Sequence, residues 1–216
     1  MPLLLELFSG TGSIGKAFAK LGWVVFSIDN NPTMNPSLVK DVMNVTPEDI
    51  PGTPDFIWGS PPCTQYSMAR THARLPRDLE GSDALVRKTL DHIRFYRGVP
   101  YMIENPHTGL LKTREVIQGI PLLVIDYCKY GAPYRKRTAI WTETAWIPQR
   151  PLCRYDCAAT CMSATTNRKR HAETAQQGNR KGSTVRHTVD QLHAIPEALC
   201  DEIAEFVNNS IVLVLD

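Results

Sequence analysis

Phe56-Ile57-Trp58 is an apolar run that stops abruptly at Gly59-Ser60-Pro61-Pro62-Cys63, and this break constrains the chain more than any other stretch. A buried strand has to end there, because glycine weakens a ladder and proline cannot donate to one. The two rings also restrict the backbone leading into Cys63, so its sulfur has a set direction. A cysteine on a loop just past a strand's carboxyl end stands where open α/β sheets place their chemistry. A buried, inert thiol is the other common fate of a free cysteine. This stretch alone leaves both readings open.

Apolar runs closed by breakers recur along the chain. Leu3-Leu4-Leu5-Glu6-Leu7-Phe8 predicts a first strand, followed by the turn Ser9-Gly10-Thr11-Gly12-Ser13 and a helix from Ile14 to Leu21 that Gly22 closes. Bare backbone N–H groups at such a helix start suit a nucleotide-type ligand. The turn lacks both the lysine of a triphosphate loop and the full dinucleotide fingerprint. Trp23 to Ile28 predicts the second strand, with Asp29 at its tip, placed to accept hydrogen bonds from ribose hydroxyls. Asp41 to Val45 reads as a short further segment. Asp55 to Trp58, the stretch Tyr101-Met102-Ile103-Glu104-Asn105-Pro106, Leu122 to Tyr127 and Thr138 to Thr142 predict strands. Ser82 is the expected N-cap of a helix to Arg97, a last helix starts after Pro196, and Ile211 to Leu215 reads as a terminal strand. Strands alternating with helices predict an α/β protein with a doubly wound, mostly parallel sheet.

The 216 residues suit one domain with a full core, and 43% apolar with 21% charged residues is the balance of a soluble globular chain. No apolar run approaches the ~20 residues that cross a bilayer, and no basic region precedes the Leu-rich start. The expectation is a cytoplasmic protein, in host cytoplasm for a viral source, with no membrane partner. Residues 1–142 read as the core, 143–187 as a short insertion without periodicity, and 188–216 as its completion. In residues 151–187 seven basic residues (Arg154, Arg168, Lys169, Arg170, Arg180, Lys181, Arg186) stand against Asp156 and Glu173, a net +5 that leaves −3 for the remainder. Such a stretch suits contact with phosphates, and a solvated loop is its alternative.

Six cysteines without a secretory signal favour free thiols or metal ligands over disulfides. Cys153, Cys157 and Cys161, with His171 beyond them, can close a tetrahedral zinc site that orders this small basic loop. Free thiols are the alternative. Cys128 and Cys200 read as core residues.

Taken together, Phe8-Ser9-Gly10-Thr11-Gly12, Pro62-Cys63 and Glu104-Asn105 resemble, in order and spacing, the cofactor, nucleophile and acid motifs of the cytosine-5 DNA methyltransferase family. The resemblance implies the S-adenosylmethionine-dependent methyltransferase (Rossmann-like) fold and that cofactor. Phe8 would stack on the adenine, Asp29 would bind the ribose and Asp41 would meet the adenine amine. Glu6, Gly10 and Gly12 would shape the methionine pocket, and Ser9, Thr11, Ile14, Asn30 and Pro61 would complete the site. Cys63 would add to carbon 6 of a cytosine flipped from double-stranded DNA, Glu104 would bond and protonate the ring, and Asn105 would hold the loop. Arg135 and Arg137, in Tyr134-Arg135-Lys136-Arg137, stand where the family has arginines that steady the base and its phosphate.

Two family features are reduced. About forty residues stand where a target-recognition domain normally lies, as in a minimal phage-like form. The late Asn-Ser-Val motif has only faint echoes, in Gly178-Asn179 and in the stretch from Arg186 to Pro196. A short or relaxed target, or a partner that supplies specificity, is therefore expected, with Arg70, Arg74 and Arg77 joining the basic segment on phosphates. A transfer-RNA-methylating branch of the family and a catalytically silent nucleic-acid-binding subunit are the alternative readings.

Overall fold

The computed structural model describes residues 1–68, 70, 75–176 and 185–215. Arg74, Gly178, Asn179, Arg180 and Lys181, named above, lie outside them. The sheet strands are β1 (Leu3–Leu7), β2 (Val24–Asp29), β3 (Leu38–Val39), β4 (Phe56–Gly59), β5 (Tyr101–Pro106), β6 (Leu122–Asp126) and β7 (Arg137–Trp141), in the spatial order β3-β2-β1-β4-β5-β7-β6. All neighbours run parallel except β7, which is antiparallel to both β5 and β6. The mostly parallel α/β architecture is as expected. A separate hairpin, β8 (Thr160–Met162) with β9 (Lys169–His171), forms within the stretch read as irregular.

Successive side chains of the central strands alternate between two cores, as the pleat requires. Leu4, Phe56, Trp58, Met102 and Ile140 face one side, packing with α1 (Ser13–Lys20) and α4 (Glu197–Leu215). Leu5, Leu7, Ile57, Ile103 and Trp141 face the other, with Val86 and Leu90 of α2 (Leu79–Phe95). Both faces are covered, which is why these strands read as continuous apolar runs. Gly59 lies so close to α2 that a Cβ there would meet Thr89 Cγ2 at 2.7 Å.

Two local expectations are corrected, at the start of α2 and at the end of α4, and the short segment at Asp41 takes a definite form. α2 starts at Leu79 because the Asp78 side chain caps it, accepting from Gly81 N at 2.8 Å, and Ser82 is buried inside the helix. Asp41 to Val45 is a single 3-10 turn capped by Asp41, while the strand at that edge is the short β3 before it. The β-branched run from Ile211 is not a strand but the last turn of α4, since nothing between Glu197 and Leu215 breaks the helix. Among the described residues no helix is long and apolar enough to cross a membrane.

Candidate active site

The carboxyl ends of β1, β2, β4 and β5 open on one cavity of about 410 Å³. Its walls bring together Phe8, Asp29, Cys63 and Glu104, residues up to 96 positions apart in the chain. Each is delivered by a strand that the neighbouring strands hold in register.

At β1, Phe8 leaves the strand with φ 56°, and Gly10 and Gly12 follow at 47° and 65°. Left-handed backbone at both glycines turns the chain into α1, with Gly12 N donating to Ser9 O at 2.8 Å. Asp29 braces this turn from β2, accepting from Gly10 N at 2.8 Å and Asn31 N at 2.9 Å. Glu6 is buried beneath it and takes Gly15 N on one carboxylate oxygen. Its other oxygen, Oε2, has no hydrogen-bond partner among the described residues. Burial pushes the Glu6 carboxyl up to about 7, although the backbone N–H groups of Gly15 and Ile14 oppose it.

Of the residues assigned to the cofactor, Glu6, Phe8, Ser9, Gly10, Thr11, Asp29, Asn30, Asp41 and Pro61 line the cavity. Gly12 shapes the turn without facing the cavity, and Ile14 is buried in the core between α1 and the sheet. The donor set fits an adenosyl amino acid: an aromatic wall, carboxylates at the tip of β2 and at Asp41, and the unpartnered Glu6 oxygen for a cationic head.

The cysteine loop is held by its backbone. Ser60 N extends the pairing to Leu7 O at 3.2 Å, Asn105 Nδ2 donates to Pro61 O at 2.8 Å, and Ser67 N closes on Cys63 O at 2.9 Å. Tyr66 OH anchors the far side on Asp83 at 2.7 Å, and Arg114 neutralises that carboxylate at 2.6 Å. Asn105 is fully buried, behind the cavity rather than in its wall. Arg77, expected on phosphate, donates instead to the carbonyls of Gln65 and Ser67 in this loop. Arg70 bonds the carbonyl of Pro76 at 3.2 Å.

Cys63 is half-buried, and burial raises its thiol, as does the Glu104 carboxylate; Lys136 pulls it back down. Burial likewise raises Glu104, against Lys136 and a hydrogen bond from Tyr127 OH at 3.2 Å. Lys136 is the one lysine or arginine of the cavity wall among the described residues. Its ammonium sits 5.0 Å from the Tyr127 ring centroid and donates to Leu192 O at 2.8 Å.

Arg135 and Arg137 are not in the cavity wall. Both pair with the fully buried carboxylate of Asp126, at 3.2 Å and 2.8 Å. Burial would raise Asp126, but the two guanidiniums and the Cys153 N–H, at 3.0 Å, outweigh it and hold the carboxyl low. The extended backbone leading into β7 sends alternate side chains to opposite sides, so Lys136 faces the cavity while its neighbours face away. That alternation was readable in the sequence. The register relative to β6 was not, because it depends on Asp126 lying opposite Arg137. His193 and Ile195 also line the cavity, from the 186–196 stretch that only faintly echoed the family's late motif. Neither was singled out in the sequence.

The metal-type cluster differs from the expected set. Cys128, Cys153, Cys157 and His171 place one ligand atom each within 4.8 Å of one another. Cys161, on β8, does not belong to the group. Cys128 replaces it because the 3-10 turn after β6 carries that thiol under the loop, a long-range approach invisible to spacing.

A model of the C-5 cytosine-specific DNA methylase family matches residues 3–116. The chain is 31% identical to a probable DNA (cytosine-5)-methyltransferase of Frog virus 3 (isolate Goorha), over 94% of this chain and 98% of that one. Among solved structures, a putative DNA modification methyltransferase encoded within a prophage (E. coli) superposes with a TM-score of 0.50 at 17% identity, covering 66% of this chain and 46% of its own. The S. pombe Dnmt2 methyltransferase gives 0.47 at 18%, covering 68% and 53%. The chain thus spans about half the length of these solved proteins and nearly all of the viral one.

Proposed function

The chain belongs to the C-5 cytosine-specific DNA methylase family, and we propose that it methylates carbon 5 of cytosine in DNA through a transient covalent bond between Cys63 and the base. The observation that carries this reading is the convergence of Cys63 and Glu104, from the ends of adjacent strands, on the cavity that the glycine turn also lines. S-adenosylmethionine, when bound, supplies an electrophilic methyl group.

Carbon 5 of cytosine is too weak a nucleophile by itself. The Cys63 thiolate adds to carbon 6, and the electron pair of the 5,6 double bond moves into the ring. Glu104 gives a proton to ring nitrogen 3, which leaves an enamine whose carbon 5 attacks the methyl carbon. The bond from the methyl carbon to its sulfonium sulfur breaks with the pair staying on that sulfur. Loss of the carbon-5 proton to water and return of the nitrogen-3 proton to Glu104 then re-form the 5,6 double bond and expel Cys63 as its thiolate. The raised Glu104 carboxyl suits a donor, and Lys136 favours the Cys63 thiolate. Asn105 acts on neither atom; it fixes Pro61 and with it the approach of the sulfur.

Glu104 is buried in the cavity wall, so a cytosine that reaches it and Cys63 together has to leave the duplex stack. The exposed side chains of Arg154, Arg168, Lys169 and Arg186 have no ion-pair partner among the described residues and suit backbone phosphates.

Tritiated methyl incorporation into duplex DNA and into transfer RNA, measured side by side, tests the substrate. Incorporation into DNA is expected; transfer confined to transfer RNA, or to neither, overturns the reading. A duplex carrying 5-fluorocytosine should form an adduct that mass spectrometry maps to Cys63.

A further inference from the structure

Cys128, Cys153, Cys157 and His171 lie outside the cavity wall and bring their ligand atoms within 4.8 Å of one another. The Cys153 and Cys157 sulfurs lie 3.6 Å apart. His171 Nε2 is 3.5 Å from the first and 3.3 Å from the second. A tetrahedral zinc ion with bonds of ~2.3 Å to sulfur and ~2.0 Å to nitrogen spaces its ligands by about 3.8 Å between sulfurs and about 3.5 Å between sulfur and nitrogen. These three edges match within a few tenths of an ångström, and Cys128 Sγ lies within 4.8 Å of the other three ligand atoms. A disulfide would need about 2.05 Å, and all six cysteines are free.

The surroundings are those of bound thiolates. Tyr155 N donates to Cys153 Sγ at 3.3 Å, from a residue held at φ 61°, and the Thr160 hydroxyl lies 3.3 Å from Cys157 Sγ. Behind them Asp126 accepts the Cys153 N–H. Donors to the sulfurs and a buried carboxylate fixing the ligand loop are what an outer shell provides.

We propose that Cys128, Cys153, Cys157 and His171 bind one zinc ion as a closed structural site, which fastens the basic loop and its β8–β9 hairpin to the end of β6. Three soft sulfurs and an imidazole select zinc over calcium or magnesium, and four protein ligands leave no position for a reactive water. The staple is needed because the loop has little core of its own: Leu152, Tyr155 and Met162 are exposed, while Cys153 and His171 are buried at the cluster. Zinc here leaves the methyl-transfer reading untouched, and either can stand without the other.

The test is elemental analysis of the full chain, purified under reducing conditions without chelator. About one zinc per chain is expected for the unaltered protein and for Cys161→Ser, and less than a tenth as much for Cys128→Ser. His171→Cys should give a four-thiolate site and keep stoichiometric zinc, which guards against a Cys128 variant that simply fails to fold. X-ray absorption at the zinc edge should show three sulfurs and one nitrogen in the unaltered protein, and four sulfurs in His171→Cys. Unaltered protein without zinc, or a Cys161→Ser variant that loses it as Cys128→Ser does, overturns the proposal.

Discussion

Cys63 and Cys153 both sit on loops, and opposite means hold them. Around Cys63 the backbone does the holding: Ser60 extends a ladder, Asn105 grips the Pro61 carbonyl, and Ser67 closes on the cysteine's own carbonyl. The sulfur is left to face the cavity. Around Cys153 the sulfur itself is engaged, by Tyr155 N, Cys157 and His171. A sulfur that organises its loop is not available as a nucleophile, and one that is to react needs a loop organised without it.

That contrast is broken most directly at Cys63. Cys63→Ala should abolish methyl transfer while unfolding at nearly the same denaturant concentration as the unaltered chain and still binding the cofactor. Retained turnover in this variant would remove the covalent step. Glu104→Gln keeps the shape and removes the proton, and should lower kcat by about 10²–10⁴-fold; steady-state kinetics that show a change in KM alone would place Glu104 outside the chemistry.

The converse holds at the other region. Asp126→Ala leaves Arg135 and Arg137 without their carboxylate and the Cys153 N–H without an acceptor, so urea denaturation should show a loss of about 3–5 kcal/mol. A loss under 1 kcal/mol would mean that the loop is fastened by other contacts. The smallest effect concerns Glu6. Its carboxyl, at about 7 in the folded chain against 4.5 when exposed, favours the fold below pH 4.5 and costs stability as pH rises toward 7. The shift corresponds to about 3 kcal/mol as an upper figure. Glu6→Gln should flatten this slope, so that its stability relative to the unaltered protein is greater at pH 8 than at pH 5. Parallel profiles for the two proteins would show that Glu6 is ionised in both states.

Much of the catalytic half was legible because its signals are local. An apolar run closed by Gly59 and two prolines marks a strand end, and Gly10 with Gly12 marks a turn into a helix. The chemistry-bearing residues sit within a few positions of such breaks. Errors came where a local pattern had two outcomes: the β-branched end of α4 resembled a strand, and Asp78 rather than Ser82 captured the first turn of α2. At Asp41, assigned from the sequence to the cofactor site, the side chain caps its own 3-10 turn and also lines the cavity.

From its sequence alone, this chain is determined to carry an α/β sheet whose strand ends present a glycine turn, a constrained cysteine and a glutamate-asparagine pair. These follow from backbone restrictions that act over a few residues and survive any packing. Only the tertiary structure decided that Lys136 rather than Arg135 or Arg137 faces the cavity, that Arg77 braces the cysteine loop, and that Cys128 rather than Cys161 completes the sulfur cluster. Each of those outcomes depends on which side chain a distant strand brings within about 4 Å, and spacing along a chain carries no information about that distance.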